Sequence, residues 1–255
     1  GNIIDAQQHT DQTDGVFFQR VEFLLDGCDL ARDEIEPAMR PLVDRFAMEC
    51  AIRFSDEVPR VGVMVSREAH CLVDLLARSR RGELPIDVRV VISNHPDHAE
   101  VAEWFGVDFV YLPVTPDTRQ EQERAVQAVL TQHGVSLVVL ARYMQILSAE
   151  LVGHWPSAII NIHHSFLPAF MGGRPYHQAH ERGVKIVGVT AHYATAELDD
   201  GPIIDQDVVR VSHRDSVADL QRRGRDLEVA VLARAVRAHV EHRVLVHGRR
   251  TVVFD

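Results

Sequence analysis

Between Ile159 and His180 the chain reads IINIHHSFLPAFMGGRPYHQAH, an apolar run that ends in an amide and an imidazole two residues apart. Side chains at i and i+2 of a strand project from one face, so Asn161 and His163 can reach a single carbonyl together. Further on, Leu198-Asp199-Asp200-Gly201-Pro202 sets a carboxylate in a tight turn before a second apolar run, Ile203 to Val211. An amide donor, an imidazole and a carboxylate are the groups that activate a carbonyl toward water or an amine. The neighbouring polar residues suggest less. His177 and His180 are three apart, but no H-E-x-x-H pattern accompanies them and no metal site is expected. Ser165 lacks a G-x-S-x-G elbow and is not a candidate nucleophile. His164 is expected to turn to the face opposite His163 and pack or cap, with contact to substrate as the alternative, and Gly172-Gly173 to hinge a flap over the site.

Composition bounds the classes of function. A chain of 255 residues, 46% of them hydrophobic, can bury one sizeable core and a small satellite domain. A formal charge of -10, with dispersed arginines and Lys185 as the sole lysine, argues against a polyanion-binding surface, so no nucleic acid is expected. Cys28, Cys50 and Cys71 are odd in number and lack C-x-x-C spacing, and read as reduced packing residues of a cytoplasmic protein. No apolar run approaches the roughly twenty residues of a membrane span.

The elements that would position these groups fall into two parts. Asn2 to Gln8 and Val16 to Leu25, separated by the turn-rich TDQTDG, form a predicted hairpin. Asp33 is placed as the N-cap of an amphipathic helix running to about Met48, and a short strand is expected over Ala51 to Phe54. After the polar segment Ser55 to Arg60, apolar runs at Val61–Val65, Val88–Ile92, Phe109–Tyr111 and Leu137–Leu140 alternate with helical patterns near Glu68–Arg80, Asp97–Phe105 and Gln120–Gln132. That alternation predicts an α/β fold with a mainly parallel sheet covered on both faces, and a site at the carboxyl ends of its strands. A long helix to about His239 and a closing hairpin, Val244–Val246 with Val252–Phe254, complete the pattern. The expected boundary lies between a 1–57 domain and a 58–255 domain.

The motifs EAHCL (Glu68 to Leu72), NIHHSFLPAF (Asn161 to Phe170), RPYHQA (Arg174 to Ala179) and LDDGPII (Leu198 to Ile204) resemble the formyltetrahydrofolate deformylase family. The resemblance implies a Rossmann-like formyltransferase domain preceded by an ACT-like domain, a ferredoxin-like βαββαβ module here lacking its first strand and helix. On that reading a segment of roughly 25 to 35 residues is expected upstream, the usual length of one strand, one helix and their loops. The resemblance further implies hydrolysis of 10-formyltetrahydrofolate to formate and tetrahydrofolate, supplying formate for one-carbon and purine metabolism, with no separate cofactor. The family's catalytic trio falls on Asn161, His163 and Asp199. Arg119 matches the arginine that meets the folate tail. Met144, Gln145, Ile146 and Leu147 match the segment whose backbone reads the pterin ring, although relatives usually carry Arg where this chain has Gln145. Gly172 belongs to the implied flap. The ACT resemblance leaves open an amino-acid effector and leads us to expect a homo-oligomer.

The turn after the first strand of the larger part bears on the acceptor. In the related transformylase a glycine-rich turn brings backbone amides to a substrate phosphate. Here it reads Val65-Ser66-Arg67-Glu68-Ala69-His70, without glycine and with an acid in the middle, which favours water. Arg225 and Glu228 are placed either on the former acceptor side or on a solvated helix face. Two other classes stay open: a formyltransferase acting on an amine, and a non-catalytic ligand-sensing ACT protein, against which the intact trio argues.

Overall fold

The computed structural model describes residues 1–169 and 174–255. By contact these residues separate into Gly1–Glu57 with Val252–Asp255, and Val58–Thr251. In the first unit, β1 (Ile3–Asp11) and β2 (Val16–Phe23) form an antiparallel hairpin closed at Asp11 and Val16. Asp11 shapes the turn: its Oδ1 accepts from the Thr13 and Asp14 amides at 2.9 and 3.2 Å. A helix α1 (Ile35–Phe46) follows a single 3-10 turn, Arg32–Glu34, and Asp33 lies inside that turn instead of capping the helix. Glu34 does the local work, accepting the Ala31 amide at 2.9 Å.

The strand expected over Ala51 to Phe54 does not form. A strand exists through its ladder, and the β1–β2 sheet has no third member among the described residues. Phe54 instead lies under the Arg32 guanidinium, 3.8 Å from the ring centre, while Arg32 bridges Asp56 and Glu57 at 2.6 Å each.

The second unit is an α/β domain around a seven-stranded sheet. Its strands are β3 (Arg60–Val65), β4 (Asp87–Ser93), β5 (Asp108–Tyr111), β6 (Leu137–Leu140), β7 (Ile159–His163), β8 (Ile186–Tyr193) and β9 (Ile203–Arg210), in the order β5-β4-β3-β6-β7-β8-β9. The first five run parallel, and β8 and β9 add antiparallel pairs. The helices are α2 (His70–Arg80), α3 (Ala99–Phe105), α4 (Arg119–Gln132), α5 (Ala149–Gly153), α6 (Pro175–Arg182) and α7 (Val217–Val240). A short ladder of β10 (Val244–His247) and β11 (Arg250–Val253) lies near the end of the chain. No described helix is long and apolar enough to cross a membrane.

Burial on both faces explains the near-continuous apolar strands. Val61, Val63 and Val65 pack with Leu72, Leu75 and Leu76 of α2 and Val231, Leu232 and Val236 of α7. Met64, pointing the other way, packs with Val126 and Leu130 of α4 and with Trp155. The chain builds outward from β3 to β5 and then returns to place β6 on the other side of β3. That reversal opens a crevice at the carboxyl ends of β3 and β6, where ligands bind in such sheets. Register carries the row onward, pairing Met64 with Leu140, Leu140 with Asn161, and Asn161 with His192.

Candidate active site

A cavity of about 280 Å³ opens where that row ends, lined by Arg142 to Leu147, Asn161 to His164, His192 and the 194–199 loop. A larger hollow in the first unit is lined by exposed charged side chains such as Arg32, Glu36 and Arg40, and holds no buried polar group. Buried polar side chains line the smaller cavity.

Asn161, His163 and Asp199 meet there. His163 is buried, and its Nδ1 lies 3.3 Å from Asp199 Oδ1. A carboxylate only accepts, so Nδ1 carries the proton and Nε2 is left as the basic nitrogen. That Nε2 is itself buried and bonds to no described residue. Burial alone would raise the Asp199 carboxyl, but the hydrogen bond and charge of His163, with that of His192, outweigh it and hold the group below its usual range. Asp199 adopts a left-handed backbone, φ 54°, in a turn fixed two residues later. A Cβ on Gly201 would fall 1.7 Å from the Tyr193 carbonyl oxygen, so only glycine lets the loop lie this close to β8.

His192 is a partner that the sequence reading does not include. Its Nδ1 donates to the Tyr193 carbonyl at 2.9 Å, which leaves Nε2 to accept from Asn161 Nδ2 at 3.1 Å. This fixes the Asn161 amide with one N–H held and the other free for a ligand oxygen. Burial keeps His192 below the usual imidazole range, which preserves the accepting nitrogen.

This geometry has relatives. The family described as Formyl transferase matches residues 59–236. A formyltetrahydrofolate deformylase of Synechocystis is 57% identical over all of this chain and 89% of its own length. The crystal structure of a formyltetrahydrofolate deformylase from Pseudomonas syringae superposes with a TM-score of 0.97 at 49% identity, covering 99% of this chain and 85% of that one. The chain belongs to the formyltetrahydrofolate deformylase family. A glycinamide ribonucleotide transformylase from Symbiobacterium toebii is more distant, with a TM-score of 0.75 at 37% identity over 80% of this chain and 98% of its own.

The remaining residues singled out from the sequence fall as follows. Met144, Gln145, Ile146 and Leu147 line the cavity. The Met144 amide is used internally, donating to Ser66 Oγ at 3.0 Å. The backbone groups of Gln145 and Leu147 have no partner among the described residues. Arg119 opens α4 and donates from Nη2 to the Ile146 carbonyl, so it borders this segment without lining the cavity. Gly172 lies outside the described residues. His177 and His180 are exposed on α6, and Cys50 is exposed, so it does not pack.

His164 departs from expectation. It sits beyond the last residue of β7, where strand alternation no longer applies, and lines the same cavity as His163, with ring centres 5.3 Å apart. Glu228 is also resolved: it is 1% exposed, ruling out a solvated face. Its carboxylate accepts from Tyr176 at 3.0 Å, bonds His70 Nε2 at 2.7 Å, and lies 3.4 Å from Arg142 Nε. Arg225 is half-exposed, 3.8 Å from Glu68. His70, Cys71 and Glu228 offer ligand atoms within 4.8 Å of one another. A guanidinium beside the carboxylate and a thiol pushed up by burial suit a hydrogen-bonded cluster better than a cation.

Two part-buried imidazoles set an acid limit on stability. Burial, then the Arg142 charge, lowers His164 to about 3, and burial lowers His239, bonded to Tyr193 at 2.7 Å, to about 4. Both lie below the unfolded value of about 6.5, so below that pH the unfolded chain binds the extra protons. Their contribution is complete above about pH 6.5 and is lost as pH falls toward 4 and 3. The melting temperature should therefore drop between pH 7 and 5, before carboxylates titrate. A flat profile across that interval would contradict the burial of these rings.

Proposed function

We propose that Asn161, His163 and Asp199 together carry out the hydrolysis of 10-formyltetrahydrofolate to formate and tetrahydrofolate. The observation that carries this reading is the buried, unpartnered Nε2 of His163, backed by Asp199 and set beside an Asn161 amide with one N–H free. The free Asn161 N–H receives the formyl oxygen as it becomes an oxyanion. His163 takes a proton from the attacking water, and Asp199 stabilises the imidazolium that results. Incubation with 10-formyltetrahydrofolate alone should release formate and tetrahydrofolate in equal amounts; no release would reject the reading.

Binding of the folate is assigned to two places. The open backbone groups of Gln145 and Leu147 suit the edge of a pterin ring, and Arg119 suits the carboxylate tail. Because a tail contact lies far from the formyl group, Arg119→Ala should raise KM severalfold with little change in kcat. An unchanged KM would remove Arg119 from the binding surface.

Water is favoured over an amine acceptor by the turn after β3. Ser66 Oγ donates to Asn94 Oδ1 at 2.7 Å, and the Ser66 amide donates to the Arg142 carbonyl at 3.2 Å, so Ser66 at the head of the turn is already committed to internal bonds. The 58–255 part acts in the cytoplasm as the catalytic domain. The 1–57 part, a hairpin and helix, is read as a portion of an ACT-like domain that pairs between subunits, a reading that light scattering tests by the presence or absence of a dimer or larger assembly.

A further inference from the structure

We propose that His164 is a further catalytic residue, whose ring accepts a hydrogen bond from the attacking water and holds it against the formyl carbon. The inference rests on the hydrolytic reading above and names the group that receives its second reactant.

Three observations carry it. His164 lines the same cavity as Asn161, His163 and Asp199, and its ring nitrogens have no hydrogen-bond partner among the described residues. The ring has two ring neighbours, and the chain that follows it is anchored. His163 lies at 5.3 Å and Tyr176 at 6.0 Å between ring centres, and the following segment is clamped by Thr190, which donates to the Ser165 carbonyl at 2.9 Å and accepts the Leu167 amide at 3.0 Å. Tyr176 is fixed in turn: its hydroxyl donates to buried Glu228, and a Cβ on Gly224 would fall 1.8 Å from that oxygen.

The third observation is Arg142. Its backbone is left-handed, φ 63°, a conformation that costs a non-glycine residue about 1–3 kcal/mol and persists where its surroundings impose it. The strained residue sets a guanidinium in the cavity wall, paired with Glu228 and next to His164 in charge. The charged and titratable groups facing His164 are Arg142 after β6, His163 of β7, Tyr176 of α6, Asp199 before β9 and Glu228 of α7. Burial, Arg142 and His163 outweigh the two carboxylates, so the ring stays neutral through the working range and keeps a lone pair for water.

The division of labour balances. The water oxygen bonds to the formyl carbon while one of its protons passes to His163 Nε2. The C–N10 bond then breaks with its electron pair on N10, which takes that proton. Tetrahydrofolate and formic acid leave, and the acid ionises to formate. His164 accepts the hydrogen bond of the second water proton and is not itself consumed.

Three substitutions test this. His164→Phe keeps a ring and removes the acceptor; it should lower kcat by about 10²-fold or more, with KM and tetrahydrofolate affinity within about twofold of wild type. His164→Asn and His164→Gln each carry a carbonyl acceptor, at different reach, and at least one should recover tenfold or more of the loss while keeping the wild-type pH profile. Near wild-type kcat in His164→Phe overturns the proposal. So does equal damage in all three, a loss confined to KM or tetrahydrofolate affinity, or a changed pH limb in the rescued variant. If wild type releases no formate, the hydrolytic reading fails instead. Release by wild type and His164→Phe at similar rates sinks the His164 role alone.

Discussion

Asn161→Ala should lower kcat by about 10²- to 10³-fold with the fold intact, because in the proposed mechanism the free N–H of its amide receives the oxyanion. His163→Ala should cost at least about 10²-fold through loss of the proton acceptor. Asp199→Asn should do comparable damage for a different reason. An amide in place of the carboxylate no longer holds the proton on His163 Nδ1 at 3.3 Å, so Nε2 ceases to be reliably basic, and the imidazolium loses its counter-charge. The three losses should not add, since the groups act as a unit, and the double variant Asn161→Ala with His163→Ala should fall well short of the product of the singles. Steady-state kinetics beside melting curves checks each. Turnover near wild type in any single variant would remove that residue from the mechanism.

Glu228→Ala should destabilise the fold more than any substitution in the catalytic trio. The carboxylate is almost fully buried, hydrogen-bonds Tyr176 and His70, and is the ion-pair partner of Arg142 at 3.4 Å. Its removal strands a buried guanidinium and two polar rings, and breaking such a pair from one side costs about 3–5 kcal/mol. For a domain of this size that is a fall in melting temperature on the order of 10 °C. Burial itself would push the carboxyl up, yet the His70 hydrogen bond and the Arg142 and His70 charges hold it below the usual range. This stabilisation is present above the unfolded carboxyl value of about 4.3 and is lost as pH falls through the lower folded value. A melting temperature within a degree or two of wild type would show that the cluster contributes little.

Much of the larger domain is legible in local pattern. Strand β6 is expected and found over Leu137–Leu140, and the strands before it are displaced by no more than a residue or so. Parallel strands buried on both faces leave short apolar runs, and the helices between them leave a 3.6-residue period. Asn161 and His163 are readable because two positions along one strand share a face. The smaller unit is less so, since a strand at Ala51 to Phe54 requires a partner that local sequence does not specify.

What the sequence reading missed or left open depends on how distant elements come together. His192 reaches Asn161 only through the β7–β8 pairing, and β8 lies outside the apolar runs singled out from the sequence. Arg142 and Glu228 are far apart in the chain, and a buried ion pair between them follows only once β6 and α7 are placed. His164 is ambiguous for a different reason: alternation assigns it to the far face, but the strand has ended at His163.

The most direct test of hydrolysis over transfer is a competition between acceptors. With 10-formyltetrahydrofolate and a saturating concentration of glycinamide ribonucleotide together, formate should appear at the same rate as without the nucleotide, and no formylated nucleotide should accumulate. The side chains of Ser66 to His70 and the Glu68 charge are expected to obstruct a phosphate cradle built from backbone amides at this turn. Formylated nucleotide produced at a rate comparable to formate would contradict the assignment of water as the acceptor.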